Sequence, residues 1–429
     1  MGQTGRRLFK SAEYVYGEVM RYKISLILIG ILVLPLTAFG EGNIHVGRIQ
    51  INPGLSYELA HDSNIFKEKS GERADLIHTV RLGALAKYKG DGDNFLMAGY
   101  NVGAIRYSDY SDNDYVEHNA LIDGLYRTPH GFYGRFGTTY SNTANPIGSS
   151  NSYRENDPKV RRWLNVGTFG IGYERNRLRT EVSYTNHYER YLENEDNWQN
   201  RNDHQYGLRG YYRILPRTSL LAEYRIIDIN YTNQDNGDNT QGIDSATSQD
   251  AIFHQFFVGL NFDPTGKVKG ELKLGAGHKD YDNDTDWNGK DYENVTTWLA
   301  ETNLDWAVTA KTTLNAKFAR ALKDSTETYA TRFTTTSVEL GVRHTFFEQF
   351  TAYAASSYAQ DDYDDTSSTL SSRHDRTFGA EAGLEYRFKN WIEDWLTIGI
   401  GYSFENCESN FHDEEYLDHR TTLNFLAAF

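Results

Sequence analysis

From about residue 46 to its last position the chain repeats one pattern: an apolar residue at every second position, then a turn. In 394–406, Leu396, Ile398, Ile400, Tyr402 and Phe404 share one face, and Thr397, Gly399, Gly401, Ser403 and Glu405 share the other. In 373–388, Phe378, Ala380, Ala382, Leu384 and Tyr386 oppose Gly379, Glu381, Gly383, Glu385 and Arg387. In 266–281, Val268, Leu272, Leu274 and Ala276 oppose Lys267, Lys269, Glu271 and Lys273. A period of two belongs to an extended strand, whose side chains point alternately to the two faces of a sheet. Each unit therefore has a greasy face and a wet one.

Read this way, the chain contains 18 strands, near 47–59, 75–88, 94–107, 115–127, 131–142, 161–174, 177–191, 202–214 and 217–231, then 250–262, 266–281, 292–307, 311–323, 331–345, 349–360, 373–388, 394–406 and 416–429. The connections alternate in length. The short ones are turn-like: Gly90-Asp91-Gly92-Asp93, Thr128-Pro129-His130-Gly131, Leu215-Pro216-Arg217 and Asp263-Pro264-Thr265-Gly266, where Pro and Gly suit tight-turn dihedrals. The long ones are polar and acidic: His61–Ala74, Ser141–Val160, Thr232–Ser248, Asp282–Asp291 and Asp361–Ser372.

Past the N-terminus no run approaches the ~20 apolar residues that a membrane-spanning helix needs. Yet the chain carries 31 Tyr and 37 Gly, with only 7 Pro, 3 Met and 1 Cys. A transmembrane barrel is apolar at only every second residue, so its mean hydropathy stays low while tyrosine gathers at the membrane interfaces. The expected fold is an all-β transmembrane antiparallel β-barrel of about 18 strands, with short periplasmic turns and long extracellular loops. A tyrosine-rich soluble sandwich or a propeller is the alternative. A propeller would repeat a motif per blade, and none is found.

Residues 1–40 read as a secretory signal, leaving 41–429 as the barrel. Arg21 and Lys23 precede the apolar run Ile24 to Leu36, and Ala38-Phe39-Gly40 offers small residues for cleavage. Met20 would begin a more ordinary signal. The segment holds five basic and two acidic residues, so its removal moves the formal charge from −15 to −18. That excess of negative charge disfavours nucleic-acid binding. Cys407, the lone cysteine, has no internal partner for a disulfide.

The last strand is more specific. Thr421, Leu423, Phe425, Ala427 and Phe429 alternate with Arg420, Thr422, Asn424 and Leu426. An amphipathic strand closing on a terminal phenylalanine resembles the signal read by the outer-membrane barrel assembly machinery, with Phe425 and Phe429 as its aromatic positions. An even strand number puts both termini on the periplasmic side. Aromatics stand where two interfacial girdles belong: Tyr88, Tyr126, Tyr173, Tyr212, Phe262, Trp306 and Phe388 near short turns, Trp163, Tyr188, Trp298 and Phe378 near long loops.

The wet face carries charges of both signs: Arg81, Arg135, Arg179, Glu181, Arg209, Arg213, Glu223, Arg225, Lys269, Glu271 and Lys273, then Glu301, Asp305, Lys317, Glu339, Arg343, Glu381, Glu385 and Arg387. These residues are expected to line a lumen. They either tune which solutes pass or pair across strands to fix the wall, and the sequence leaves both open. Asp282-Asn283-Asp284-Thr285-Asp286, with Glu293 at the twelfth position, has the outline of a calcium loop. Its sixth position is Trp287 where that loop needs Gly, so an acidic solvated loop is expected. Similar acidic clusters occur at Asp361-Asp362-Tyr363-Asp364-Asp365 and His412-Asp413-Glu414-Glu415; at an outer leaflet their carboxylates could bind cations that bridge lipopolysaccharide phosphates. The 13 histidines are scattered, and no nucleophile elbow, H-E-x-x-H metal motif or Gly-rich phosphate loop occurs. No enzyme activity, cofactor or metal is expected.

The stretch Ile51-Asn52-Pro53-Gly54-Leu55-Ser56-Tyr57-Glu58-Leu59-Ala60-His61-Asp62-Ser63-Asn64-Ile65-Phe66, followed by Ser70-Gly71-Glu72 and Asp75-Leu76-Ile77, resembles the start of the putative β-barrel porin 2 family. There an opening strand ends in a Tyr…Asp-x-Asn-Ile/Val-Phe segment. Gly99-Tyr100 and Ile105-Arg106-Tyr107-Ser108 are also similar to it. The resemblance implies a Gram-negative outer-membrane barrel in contact with lipid and lipopolysaccharide. It further implies a pore or export conduit for an extracellular polysaccharide, working beside polysaccharide export proteins. The other readings are a general diffusion porin for small solutes and a non-transporting surface barrel such as an adhesin or receptor.

Overall fold

The computed structural model describes residues 44–144, 160–192, 198–232, 248–263, 265–285, 291–325, 330–364, 372–388 and 395–428. The expected signal at 1–40, the terminal Phe429 and most of the longest loops lie outside these residues.

One antiparallel sheet of nineteen strands accounts for the described chain. It begins with β1 (Ile44–Val46), β2 (Ile49–Asp62), β3 (Asp75–Lys89), β4 (Phe95–Tyr107), β5 (Tyr115–Arg127) and β6 (Phe132–Ala144). It continues with β7 (Arg161–Arg175), β8 (Leu178–Tyr191), β9 (Arg201–Leu215), β10 (Thr218–Ile229), β11 (Ala251–Phe262), β12 (Val268–Tyr281) and β13 (Val295–Ala307). The last are β14 (Thr312–Asp324), β15 (Arg332–Phe346), β16 (Phe350–Tyr363), β17 (His374–Arg387), β18 (Leu396–Ser409) and β19 (Tyr416–Ala428). From β2 onward each strand pairs with its sequence neighbours, and β19 returns to β2 with Phe425 opposite Tyr57. The result is a closed barrel of eighteen strands. Closure gives every barrel strand a neighbour on both sides, which is what a sheet in hydrocarbon requires. The β13–β14 ladder ends early toward the long loops, at Ala300 opposite Arg320. The three-residue β1 folds back on β2 as a short arm, Ile44 opposite Ile51.

All eighteen strands read from the alternation are present. Several run further than expected toward the long loops: β2 reaches Asp62, β16 Tyr363 and β18 Ser409. A tilted strand crosses the hydrocarbon band in about 9–11 residues, and these have 14. Their ends are polar because they stand beyond that band, while the ladder hydrogen bonds continue. Asp361 and Asp362, read above as loop, therefore belong to β16.

The outer face is apolar and exposed. Leu82, Phe136, Phe169, Val182, Leu208, Phe256, Leu274, Leu340, Leu384 and Ile400 all present their side chains outward, a surface suited to lipid tails. Tyr88, Tyr126, Tyr212 and Trp306 stand exposed toward the short turns, and Trp163, Trp298 and Phe378 toward the long loops. Near the long-loop end one motif recurs five times. The hydroxyls of Tyr57, Tyr100, Tyr184, Tyr224 and Tyr402 hydrogen-bond Nδ1 of His78, His118, His204, His254 and His419 at 2.7–2.9 Å. Each histidine lies opposite the residue two beyond its tyrosine, as His118 lies opposite Val102. Five histidines that look scattered in sequence thus share one diagonal position on the outer wall.

Turns at the other end are tight. In the β5–β6 turn, Thr128 N donates to Phe132 O at 2.8 Å and Gly131 N to Thr128 O at 3.1 Å. Gly131 has φ +92°, and a Cβ there would sit 2.2 Å from the Glu174 carbonyl oxygen. Only glycine fits both demands.

Candidate functional site

Strands lie about 4.8 Å apart, so side chains two strands away from each other diverge on a barrel's convex face and converge on its concave one. Contacts that skip a strand therefore mark the inside. Arg81 on β3 donates to Glu117 on β5 at 2.7 Å. Arg135 on β6 reaches Glu181 on β8 at 2.5 Å, and Arg343 on β15 holds Glu385 on β17 at 2.8 and 3.2 Å. All sit on the face opposite the apolar one.

The densest group spans β9 to β13. Glu223, almost fully buried, accepts from Arg209 (2.7 Å), Arg225 (2.6 Å) and Lys273 (3.2 Å). Arg225 also forks onto Glu301, three strands away, at 2.7 and 2.9 Å, and Lys273 pairs with Glu301 as well. Glu271 accepts from Asn261 at 3.0 Å. Nearer the short turns, Arg127 and Arg213 share Glu174 at 2.8 and 3.0 Å. The Arg179 guanidinium sits over the Tyr211 ring, 3.7 Å from its centre. Lys317 pairs with Glu339 at 3.1 Å. Lys269, Asp305, Glu381 and Arg387 occupy positions of the same inner register on β12, β13 and β17.

At the long-loop end the wall is bridged across a wider span. Arg201, at the start of β9, pairs with Asp324, at the end of β14, at 3.2 Å, and Lys279 of β12 joins the same carboxylate. The two strands are five apart in the sheet, so this contact cuts across the mouth.

The first long loop, 63–74 (L1), folds over the same mouth from the opposite side. Asn64, Ile65 and Phe66 are buried, and Ile65 and Phe66 pack on the inward-facing Ile77, Ile105 and Tyr107. Asn64 organises the loop. Its Nδ2 donates to Glu68 O (2.7 Å) and to Leu417 O on β19 (3.0 Å), while its Oδ1 accepts from Glu68 N (3.1 Å). Lys67, held at φ +52°, forms an ion pair with Glu405 on β18. Arg73 stacks on Phe66 at 4.1 Å. The segment that carries the family resemblance is thus an inward clasp between β2–β5 and β18–β19. Its signal in sequence was the apolar pair Ile65-Phe66 inside a polar loop.

The acidic clusters meet basic side chains of the protein itself. Glu414 pairs with Arg373 at 3.1 Å, Glu415 with Lys69, and Asp362 contacts His374 at 2.9 Å. Of the segment resembling a calcium loop, 286–290 lies outside the described residues; Thr285 and Asp291 bridge across it. Among the described residues no three or more His, Cys, Asp or Glu are grouped to hold a metal ion. None of their helices is long and apolar enough to cross a membrane. Phe425 stacks with Tyr57 across the β19–β2 seam at 6.1 Å between ring centres.

Residues 37–429 match the model of a family described as putative beta-barrel porin 2. No curated protein matches the chain. Among solved structures it is similar to a BenF-like porin from Pseudomonas fluorescens Pf-5, with 10% identity, 90% of this chain and 100% of that one covered, and a TM-score of 0.46. It is similar to the outer membrane protein OpdK of Pseudomonas aeruginosa, with 8% identity, 88% and 99% covered, and a TM-score of 0.44. Against the unliganded ferric citrate transporter FecA the identity is 14%, 83% of this chain is covered and the TM-score is 0.42; the chain spans 60% of that chain's length.

Proposed function

The chain belongs to the putative beta-barrel porin 2 family, and from that premise we propose that it is a passive outer-membrane conduit that carries an extracellular polysaccharide outward. The observation that supports conduction is the charged concave wall. Its carboxylates and guanidiniums pair around the inside of an eighteen-stranded barrel, a size at which a lumen can hold water. Support for a polymer of sugars comes from Arg179 and Arg343, fork-shaped donors held on the inner wall over the rings of Tyr211 and Tyr353 (5.3 Å). Such donors suit the hydroxyls of sugars.

In this reading the residues of the charged face line the passage, the short turns face the periplasm and both termini lie there. L1 narrows the outer mouth. Residues 1–40 direct secretion, Phe425 and Phe429 serve barrel assembly, and inner-membrane export proteins supply the driving energy. A strain lacking the protein should make the polymer and retain it inside the cell envelope; normal surface polymer in that strain would contradict the export reading. The second reading, a diffusion porin for small solutes, is favoured by the near balance of the two charge signs on the β9–β13 wall. Uptake of small sugars that falls in the same strain would favour it.

A further inference from the structure

The inner wall is not balanced everywhere. On β3 to β9, toward the short turns, Lys87, Arg127, Arg135, Arg179 and Arg213 share the inner face with only Asp123, Glu174 and Glu181. Glu174 already serves two guanidiniums, and Glu181 serves Arg135 and the Tyr133 hydroxyl. Among the described residues Lys87 and Arg179 have no carboxylate partner: Arg179 sits over Tyr211, with its buried Nε left without a hydrogen bond. The sector stays accessible, since the Arg127, Arg135 and Arg213 side chains are 31%, 39% and 44% exposed. This cationic excess sits in a chain whose formal charge is −15.

We propose that this sector is a binding track for a polyanionic chain, a polymer with carboxylates repeated along it, entering from the short-turn mouth. The proposal rests on the conduit reading above and adds the substrate class. Arg179 is half-buried over the Tyr211 ring with its Nε turned away from solvent, and its guanidinium still carries two terminal nitrogens that can grip a carboxylate in two places. One carboxylate competes poorly with Glu174 and Glu181. A chain of them engages Lys87, Arg179 and the shared arginines together, and gains by multivalency what each contact lacks.

The test is calorimetric titration of the full barrel in detergent with oligogalacturonate, monomeric galacturonate and a neutral maltodextrin of equal length. The oligomeric acid should bind, with affinity that falls as salt rises, and the other two should not. Replacing both of these cations, Lys87→Gln with Arg179→Gln, should weaken binding about tenfold, the worth of two half-buried ion contacts. Equal binding of the neutral oligomer, an unchanged affinity in the double variant, or no binding to the folded barrel would overturn the proposal. The titration needs no conduction. A barrel that binds the polyanion yet never conducts in a bilayer keeps this site and loses the conduit; one that conducts and ignores the polyanion does the reverse.

Discussion

Asn64 and Leu417 lie 353 positions apart in the chain, yet the Asn64 side-chain amide donates to the Leu417 carbonyl at 3.0 Å. That bond ties L1 to the last hairpin and holds Ile65 and Phe66 inside the mouth. Asn64→Ala removes three hydrogen bonds of a buried amide, at about 1 kcal/mol each. The amide of Ile65, bonded to Arg73 O at 2.9 Å, should then exchange its hydrogen roughly 100- to 200-fold faster. Barrel strands should exchange as before. An unchanged rate at Ile65 would show that L1 is held by its apolar contacts alone.

The Glu223 carboxylate is the shared acceptor of Arg209, Arg225 and Lys273. Glu223→Gln leaves three cations competing for what remains, and breaking such a buried set costs roughly 3–5 kcal/mol. Glu301, whose side chain is 40% exposed, should be markedly more tolerant of the same change. Urea unfolding midpoints in lipid vesicles measure both; equal, small effects would mean that water within the barrel screens the network.

Gly131→Ala should destabilise by roughly 1–3 kcal/mol, because it combines a left-handed backbone with a contact to the Glu174 carbonyl. Gly92 has φ +65° but open space around it, so Gly92→Ala should cost only the backbone part. Thermal unfolding of the two variants side by side separates strain from crowding.

The strands were legible because a barrel wall imposes period two on every residue that faces lipid or lumen. Eighteen strands and the alternation of turns and loops follow from that constraint alone. Strand ends were less legible: Asp361, Asp362 and Ser409 look like loop because polarity marks depth in the membrane, not the end of the ladder. The arm β1 is too short to show any period. At the site, sequence gave the face of each charge but not its partner, since Arg225–Glu301 and Arg201–Asp324 depend on the barrel's curvature. The inward course of L1 was signalled only by the apolar pair Ile65-Phe66, and its partners on β3, β4 and β19 depend on the same closure. The Tyr–His diagonals needed the strand register.

Acidity should act oppositely at the two ends. In the β11–β12 turn, hydrogen bonds from the Thr265 hydroxyl and then its backbone N–H hold the Asp263 carboxyl below the usual range. Its contribution to stability is present above the unfolded-state value and is lost as pH falls through the lower folded one. Beyond β12, burial first, then the carboxylates of Asp250 and Asp228, push Asp282 up. There the folded state takes up the proton first, so stability rises as pH falls through the raised value toward the unfolded one. Hydrogen exchange across a pH series should show the Asp263 turn loosening in acid while the backbone near Asp282 tightens. Asp282→Asn should abolish the second change and leave the first.

Conduction itself is tested most directly by single-channel recording of the purified barrel in planar bilayers, beside the Asn64→Ala variant. Discrete conductance steps are expected from the native protein, and larger or longer ones once L1 is released from the mouth. If neither protein conducts, although both are folded and inserted, the inner wall is structural and the barrel is not a conduit.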